Sequence, residues 1–167
     1  AELYLQTERY KLVEEINQEF PFEYDVENKT IFIASSSNIM IADRGGKDFF
    51  VSIKALEEII FREDYEEFFG MIKRASSEEE HGMLEYRVNV ADVGQEPEYA
   101  WHRTIYKSVP GENGEILRIL GRTEDVTRER RIQDEMALKL KQDDLTKLLN
   151  KSTTKSEVEA FLKKNVR

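Results

Sequence analysis

The chain has 167 residues, room for one ordinary domain and an appendage. Apolar residues make up 40% of it and charged residues 35%, with a net charge of -9, so a core can form beneath an acidic surface that repels nucleic-acid phosphates and anionic membranes. There is no cysteine, which excludes disulfides, Cys-ligated zinc, iron–sulfur clusters and a thiol nucleophile from this segment.

The opening AELYLQTERYKLVEE lacks the basic and apolar blocks of a secretory signal. Residues 3–18 read as an amphipathic helix: Leu5, Leu12, Val13 and Ile16 recur near a 3.6 period, with Glu8, Arg9, Glu14 and Glu15 between them. Pro21 is expected to end it. Phe22 to Val26 alternates like a strand, Glu27-Asn28-Lys29 is a turn, and Thr30 to Ala34 is a second strand, giving a hairpin. Ser35, Ser36, Ser37 and Asn38 lead into a mixed region with Gly45-Gly46.

From Phe49 to Ala75 the pattern is helical in two pieces. One runs through Ala55 to Ile60, and the other begins near Glu63-Asp64 with Phe68, Met71 and Ile72 on one side. Its acidic first turn, and Lys73 and Arg74 in its last, suit the helix dipole. Three longer strands follow. Gly82 to Val90 alternates Leu84, Tyr86, Val88 and Val90 with polar residues; Glu98 to Val109 follows the turn at Gly94 to Pro97; Glu115 to Thr123 follows a hairpin loop at Pro110 to Gly114, where Asn-Gly supplies positive φ. From Thr127 to Gln142 the chain is helical and highly charged. No apolar run approaches the roughly 20 residues that cross a bilayer.

This order predicts an α+β domain with a five-stranded antiparallel sheet, short helices on one face, and amphipathic helices at each end. The other sheet face carries apolar residues that need a cover, which the 3–18 helix or a second subunit could supply. Both ends fall inside helical patterns, so the expectation is a cytoplasmic fragment of a longer protein. Membrane spans could lie elsewhere in that protein; no membrane contact and no nucleic-acid partner are expected for this segment.

Several stretches, taken in order, resemble the PAS domain family across residues 10–127. Ile59 to Asp64 is similar to the segment before the long PAS helix, with Phe61 and Arg62 at its usual His and Pro positions. Leu84 to Val88 resembles the "EYR" strand, Tyr99-Ala100-Trp101 the "YxW" strand opening, and Gly114 the hairpin glycine. Leu120 to Thr127 resembles the closing strand with its "D-I-T" exit, Val126 standing for Ile. A second resemblance lies at Asp143 to Lys151, which is similar to the "D-x-L-T-G-L-x-N-R" start of GGDEF (diguanylate cyclase) domains through Asp143, Leu145, Thr146 and Asn150; Lys147 stands for Gly and Lys151 for Arg. Glu157 to Lys164 then fits that domain's first helix. The implied organisation is an N-terminal helix at 1–19, a PAS-like sensory domain at 20–127, a linker helix at 128–142 and the truncated start of a GGDEF domain at 143–167. That family's metal aspartates and GTP-binding residues lie downstream, so the fragment is not expected to be an enzyme, whereas its parent is expected to be a diguanylate cyclase. Arg44 to Phe50 superficially resembles a GGDEF signature but precedes the start motif by about 100 residues, so it reads as a loop with glycines serving backbone geometry.

No catalytic or metal site is predicted. His81, in an expected loop, and His102, on a strand, belong to no Ser/His/Asp pattern. The helix at 63–75 has no histidine to hold a haem, and the absent cysteine argues against a covalent flavin. Trp101 reads as packing, and Glu63, Asp64, Glu66 and Glu67 as a solvated helix face. PAS folds can cup a ligand between sheet and short helices, where Phe32, Ile53, Leu56, Phe68, Leu84 and Tyr86 are candidates to line a pocket. The same residue types fill an empty core, so whether an unidentified small molecule binds stays open.

The exit helix carries Ile132, Met136 and Leu140 at i, i+4 and i+8, a stripe too narrow for a globular core and suited to pairing with a second copy. A homodimer through the N-terminal and linker helices is the expectation, with the downstream GGDEF domain as the other partner. Asp125, Val126 and Thr127 form the expected signal junction, since Asp125 and Thr127 side chains can bond nearby backbone amides. The function implied is a sensory and dimerisation module regulating synthesis of cyclic di-GMP from GTP. Two alternatives are a ligand-free scaffold ahead of a degenerate GGDEF domain and the sensor of a histidine kinase. The second is opposed by the absence of any histidine from 127–167.

Overall fold

In the computed structural model residues 1–39 and 49–165 are described. Helix α1, Glu2–Asn17, ends where Gln18 turns to φ 55°. Strand β1, Glu19–Asp25, follows at once. Pro21 therefore does not end the helix but sits inside β1, facing Arg122 of the neighbouring strand. It is tolerated because β1 pairs on its other side only at Tyr24 and Asp25, which leaves the edge beside Pro21 without a ladder to break.

The β1–β2 hairpin (β2, Thr30–Ile33) is closed by Asp25. Its carboxylate accepts the backbone N–H and the side-chain amide of Asn28, both at 2.9 Å. Those bonds, with Arg118 Nη1 at 2.6 Å, hold its carboxyl below the usual carboxylate range. Lys29 takes φ 53° to complete the turn. Phe49–Ser52, expected to be helical, is instead strand β3 and pairs antiparallel with β2. Two aromatic residues followed by valine fit a pleated edge better than a helix.

A 3₁₀ turn at Ile53–Glu58 and a second at Arg62–Asp64 lead into helix α2, Tyr65–Ser77, which buries Phe68, Met71, Ile72 and Ala75. Strands β4, His81–Asn89, β5, Tyr99–Pro110, and β6, Ile116–Asp125, form a meander. His81 thus opens a strand rather than lying in a loop. In the β5–β6 hairpin Gly114 alone takes positive φ, at 87°, and Gly111 N–H donates to the Glu115 carbonyl at 2.6 Å. Asn113 keeps negative φ, so a longer loop replaces the two-residue Asn-Gly turn.

The sheet has six strands, not five, in the order β3-β2-β1-β6-β5-β4. The added strand is β3. Alternation sets its two faces. Tyr24, Ile31, Leu84, Tyr86, Val88, Tyr106 and Ile119 point to the core under α2 and the 3₁₀ turns. On the opposite face Arg103 bridges Glu85 and Glu124 across three strands, at 2.7 and 3.1 Å. Met83, Ile105 and Leu120 stand exposed there, and Leu5, Leu12 and Ile16 of α1 are exposed as well. Within one chain, then, Leu5, Leu12 and Ile16 of α1 are not buried on this face.

The chain divides into two compact units, Ala1–Thr127 and Arg128 onward. The second is one helix, α3, Thr127–Asn165, continuous through both the expected linker at 128–142 and the GGDEF-like motif at 143–151. No glycine or proline follows Gly121, and Lys147, a good helix former, stands where the motif has its glycine. The Gly45-Gly46 loop lies outside the described residues.

Candidate functional site

Phe68, aimed from α2 at the sheet, meets Tyr86 of β4 with ring centroids 4.7 Å apart. Beside that pair is an apolar cavity of about 20 Å³, walled by Phe32, Ile33, Leu56, Ile60 and Val88 and, on the loop after β2, by Ala34, Ser37 and Ile39. This is room for roughly one water, well below the ~300–1,000 Å³ of drug-sized ligand pockets. Of the predicted lining residues, Phe32, Leu56, Phe68 and Tyr86 surround the cavity. Leu84 is buried in the core and Ile53 packs against it, and neither lines the cavity.

Polar residues continue from the cavity into the sheet. Tyr86 Oη and Thr104 Oγ1 are 2.9 Å apart, and Thr104 Oγ1 and Thr123 Oγ1 are 2.7 Å apart. His102, fully buried, lies edge-on to Phe20 and Tyr86. Its Nε2 is 2.9 Å from Asn38 Oδ1, and Asn38 Nδ2 donates to Asp125 Oδ2 at 2.8 Å. Nδ1 of His102 is buried with no hydrogen-bond partner among the described residues. Burial pushes the imidazole down from 6.5 to about 4, against the opposing pull of the Asp125 carboxylate.

Asp125 and Thr127 sit where β6 becomes α3. Asp125 Oδ1 accepts the Thr127 N–H at 2.9 Å, the local bond the sequence suggests. The Thr127 hydroxyl reaches further, accepting the N–H of Trp101 on β5 at 2.8 Å, while Val126 N–H donates to the Trp101 carbonyl at 2.8 Å. Val126 itself is buried. Val126 and Thr127, where β6 passes into α3, are thus bonded to both backbone groups of Trp101. The Trp101 ring centroid lies 4.9 Å from the Arg87 guanidinium carbon, which also stands 3.9 Å over the Phe61 ring. The acidic stretch before α2 is partly engaged, because Asp64 and Glu63 bind Arg87. No cluster of potential metal ligands occurs among the described residues, and no helix among them is long and apolar enough to cross a membrane.

Along α3, Ile132, Met136 and Leu140 are exposed, as are Leu145, Leu148 and Leu149. At 3.6 residues per turn Leu145 lies about 180° and Leu149 about 140° around the helix from Met136. Two differently aimed stripes, not one, therefore run along the rod.

Asn38 and His102 are the site residues that sequence reasoning passed over. The available signal was strand phase: His102, Thr104 and Ser108 alternate in step with Ala100 and Tyr106 and share their buried face. Polar residues in phase with a core face are candidates for an internal network. Asn38, in a Ser-rich loop, carried no such mark.

No protein-family model and no curated protein matches the sequence. Among solved structures, a sensory box histidine kinase/response regulator from Burkholderia thailandensis is similar with a TM-score of 0.61 at 18% identity, over 83% of this chain and 98% of that one. The N-terminal domain of a diguanylate cyclase with PAS/PAC sensor from Marinobacter aquaeolei is similar with a TM-score of 0.53 at 16% identity, over 67% and 98%. At these identities the likeness establishes architecture: the chain has the antiparallel α+β fold of PAS-type sensor domains.

Proposed function

We propose that this chain is a sensory and dimerisation module that regulates a diguanylate cyclase domain following it, and that it performs no chemistry itself. The observation that carries the reading is the junction, where Asp125 and Thr127 tie the start of α3 to Trp101 on a central strand. A change in sheet geometry at β5 is then felt at the first turn of a 39-residue rod. The similarity of Asp143 to Asn150 to the start of GGDEF domains supports the choice of output. A cyclase that joins two GTP molecules needs two facing domains, so rod register or rotation can set its activity through geometry. Pairing of two copies through Ile132, Met136 and Leu140, with α1 and the Met83–Ile105–Leu120 face as further contacts, accounts for the apolar surface one chain leaves exposed.

The test has two parts. The coding sequence beyond Arg167 is expected to contain an intact Gly-Gly-Asp/Glu-Glu-Phe, and the encoded protein to make cyclic di-GMP from GTP; a parent without that signature removes the cyclase reading. Analytical ultracentrifugation of the chain should show a dimer weakened at least tenfold by Ile132→Glu/Met136→Glu. Equal affinity of variant and wild type removes the pairing.

A second reading, a ligand-free scaffold ahead of a degenerate cyclase, is favoured by two observations. The cavity holds little more than a water, and α3 runs unbroken through the motif where Lys147 replaces glycine. A native mass spectrum and an absorption spectrum of the purified chain separate the readings: a retained small molecule or a band beyond the aromatic region removes the ligand-free one.

A further inference from the structure

The Asp125 carboxylate serves two clients. Oδ1 accepts from Thr127 N–H at the start of α3, and Oδ2 accepts from the Asn38 amide at 2.8 Å. Asn38 comes from the loop after β2, whose Ala34, Ser37 and Ile39 wall the core cavity. A carboxylate can only accept, so Asn38 must present Nδ2 to Asp125 and Oδ1 to His102. Oδ1 can only accept in turn, so the His102 proton sits on Nε2, leaving Nδ1 bare. That is the nitrogen without a partner. The orientation of every group in the row therefore follows from the charge at one end.

We infer that Asn38 is a coupling residue: through the directed row His102 Nε2–H to Asn38 to Asp125 to Thr127 N–H, the position of the cavity-wall loop and the start of α3 form one hydrogen-bonded unit. Moving the loop by more than a hydrogen-bond length strips Asp125 of one donor, and melting the first turn of α3 strips it of the other. By linkage the coupling is reciprocal. It deepens the sensory reading by naming the route from cavity to rod, yet it concerns bonds inside this chain and holds whatever output follows α3. Cyclase assays of the parent test the reading it rests on; exchange measurements on the chain test the route.

The row makes an unusual swap possible. In Asn38→Asp/Asp125→Asn the carboxylate moves to position 38, where it accepts from His102 Nε2–H and from the new amide at 125, whose oxygen accepts Thr127 N–H. Every bond is restored with the charge displaced by one step. Amide hydrogen exchange, read by NMR on the full chain, should show the Thr127, Val126 and Trp101 amides exchanging at least tenfold faster in Asn38→Asp, which sets two carboxylates against each other, whereas Asp125→Asn keeps an oxygen for Thr127 N–H and should lose less. The double variant should return to within about threefold of wild type, with His102 in the Nε2–H tautomer by its imidazole ¹⁵N shifts. If a single variant loses protection throughout, the double variant still decides, since rescue supports the row. Double-variant losses that are the sum of the singles, an Asn38→Asp variant with unchanged exchange at Thr127, or a proton on Nδ1 in the wild type would each overturn it.

Discussion

Arg87 grips Asp64 as a fork, with Nε donating to Oδ2 at 2.8 Å and Nη2 to Oδ1 at 2.7 Å, and the Arg87 backbone N–H adds a third bond to Oδ2 at 2.8 Å. One carboxylate just before α2 thereby locks that helix to β4, and with it the placement of Phe68 over the sheet. Phe61 and Trp101 lie against the guanidinium, so the pair is partly shielded from water and its planar geometry is used by both carboxylate and rings. Arg87→Lys retains the charge but loses both the fork and the stacking. The expected cost is about 1–2 kcal/mol, seen as a lower urea midpoint, with Asp64→Asn costing a similar amount. A Lys variant as stable as wild type would show the contact to be ornamental.

Buried His102 sets a pH dependence whose sign is fixed. The unfolded chain takes up a proton on this imidazole below about 6.5, while the folded chain resists until about 4. Between those values the unfolded state holds more protons, so stability falls as pH falls, by up to about 3 kcal/mol over the window. Urea midpoints at pH 7.5 and 5.0 should differ clearly for wild type and much less for His102→Gln. Asp25, whose carboxyl is held low by its bonds to Asn28, contributes stability that is lost only at lower pH, through the carboxylate range. Restricting the comparison to pH 5 and above keeps the two apart.

Phe68 is nearly inaccessible and stands between α2 and Tyr86. Phe68→Ala should cost about 3–5 kcal/mol, combining lost burial with the cavity left behind. It should also join the new space to the existing void and create a dry site able to take benzene. A raised melting temperature with benzene in the variant, and none in wild type, is the expected pattern. Stabilisation of wild type by benzene would mean that the core opens more readily than its packing implies.

The meander was legible because β4 alternates cleanly between apolar and polar residues, and the hairpin loop at Pro110 to Gly114 announces itself chemically. Helix α2 was legible from Phe68, Met71 and Ile72 at helical spacing. Strand β3 was not, because four residues are too few to show a period, and its strand character comes from pairing with β2 across the sheet edge. The same limit hid the junction's main contact. Asp125 to Thr127 N–H is local and predictable, but Thr127 Oγ1 to Trp101 N–H joins positions that only β5–β6 pairing brings together. Asn38 and His102 meet for the same reason, and neither residue's type reveals its partner.

Continuity of α3 through the GGDEF-like motif can be measured directly. The sequence reading places helices at 128–142 and 157–164 on either side of the GGDEF-like motif; the structure has one helix from Thr127 to Asn165. Because the chain has no cysteine, Gln133→Cys and Lys163→Cys can carry spin labels without background. At 1.5 Å rise per residue an unbroken helix separates their backbones by about 45 Å, so pulsed electron–electron resonance on labelled chain diluted into excess unlabelled chain, which removes distances between paired copies, should give one narrow distribution near that distance. Glycine costs about 1 kcal/mol against alanine in a helix interior, and an isolated rod gains little from packing to offset it. Lys147→Gly should therefore broaden the distribution and shift it to shorter distances. A short, broad distribution in the wild type would show that the motif bends the chain despite Lys147, whereas one unmoved by Lys147→Gly would mean that contacts along the rod, not the residue at 147, keep it straight.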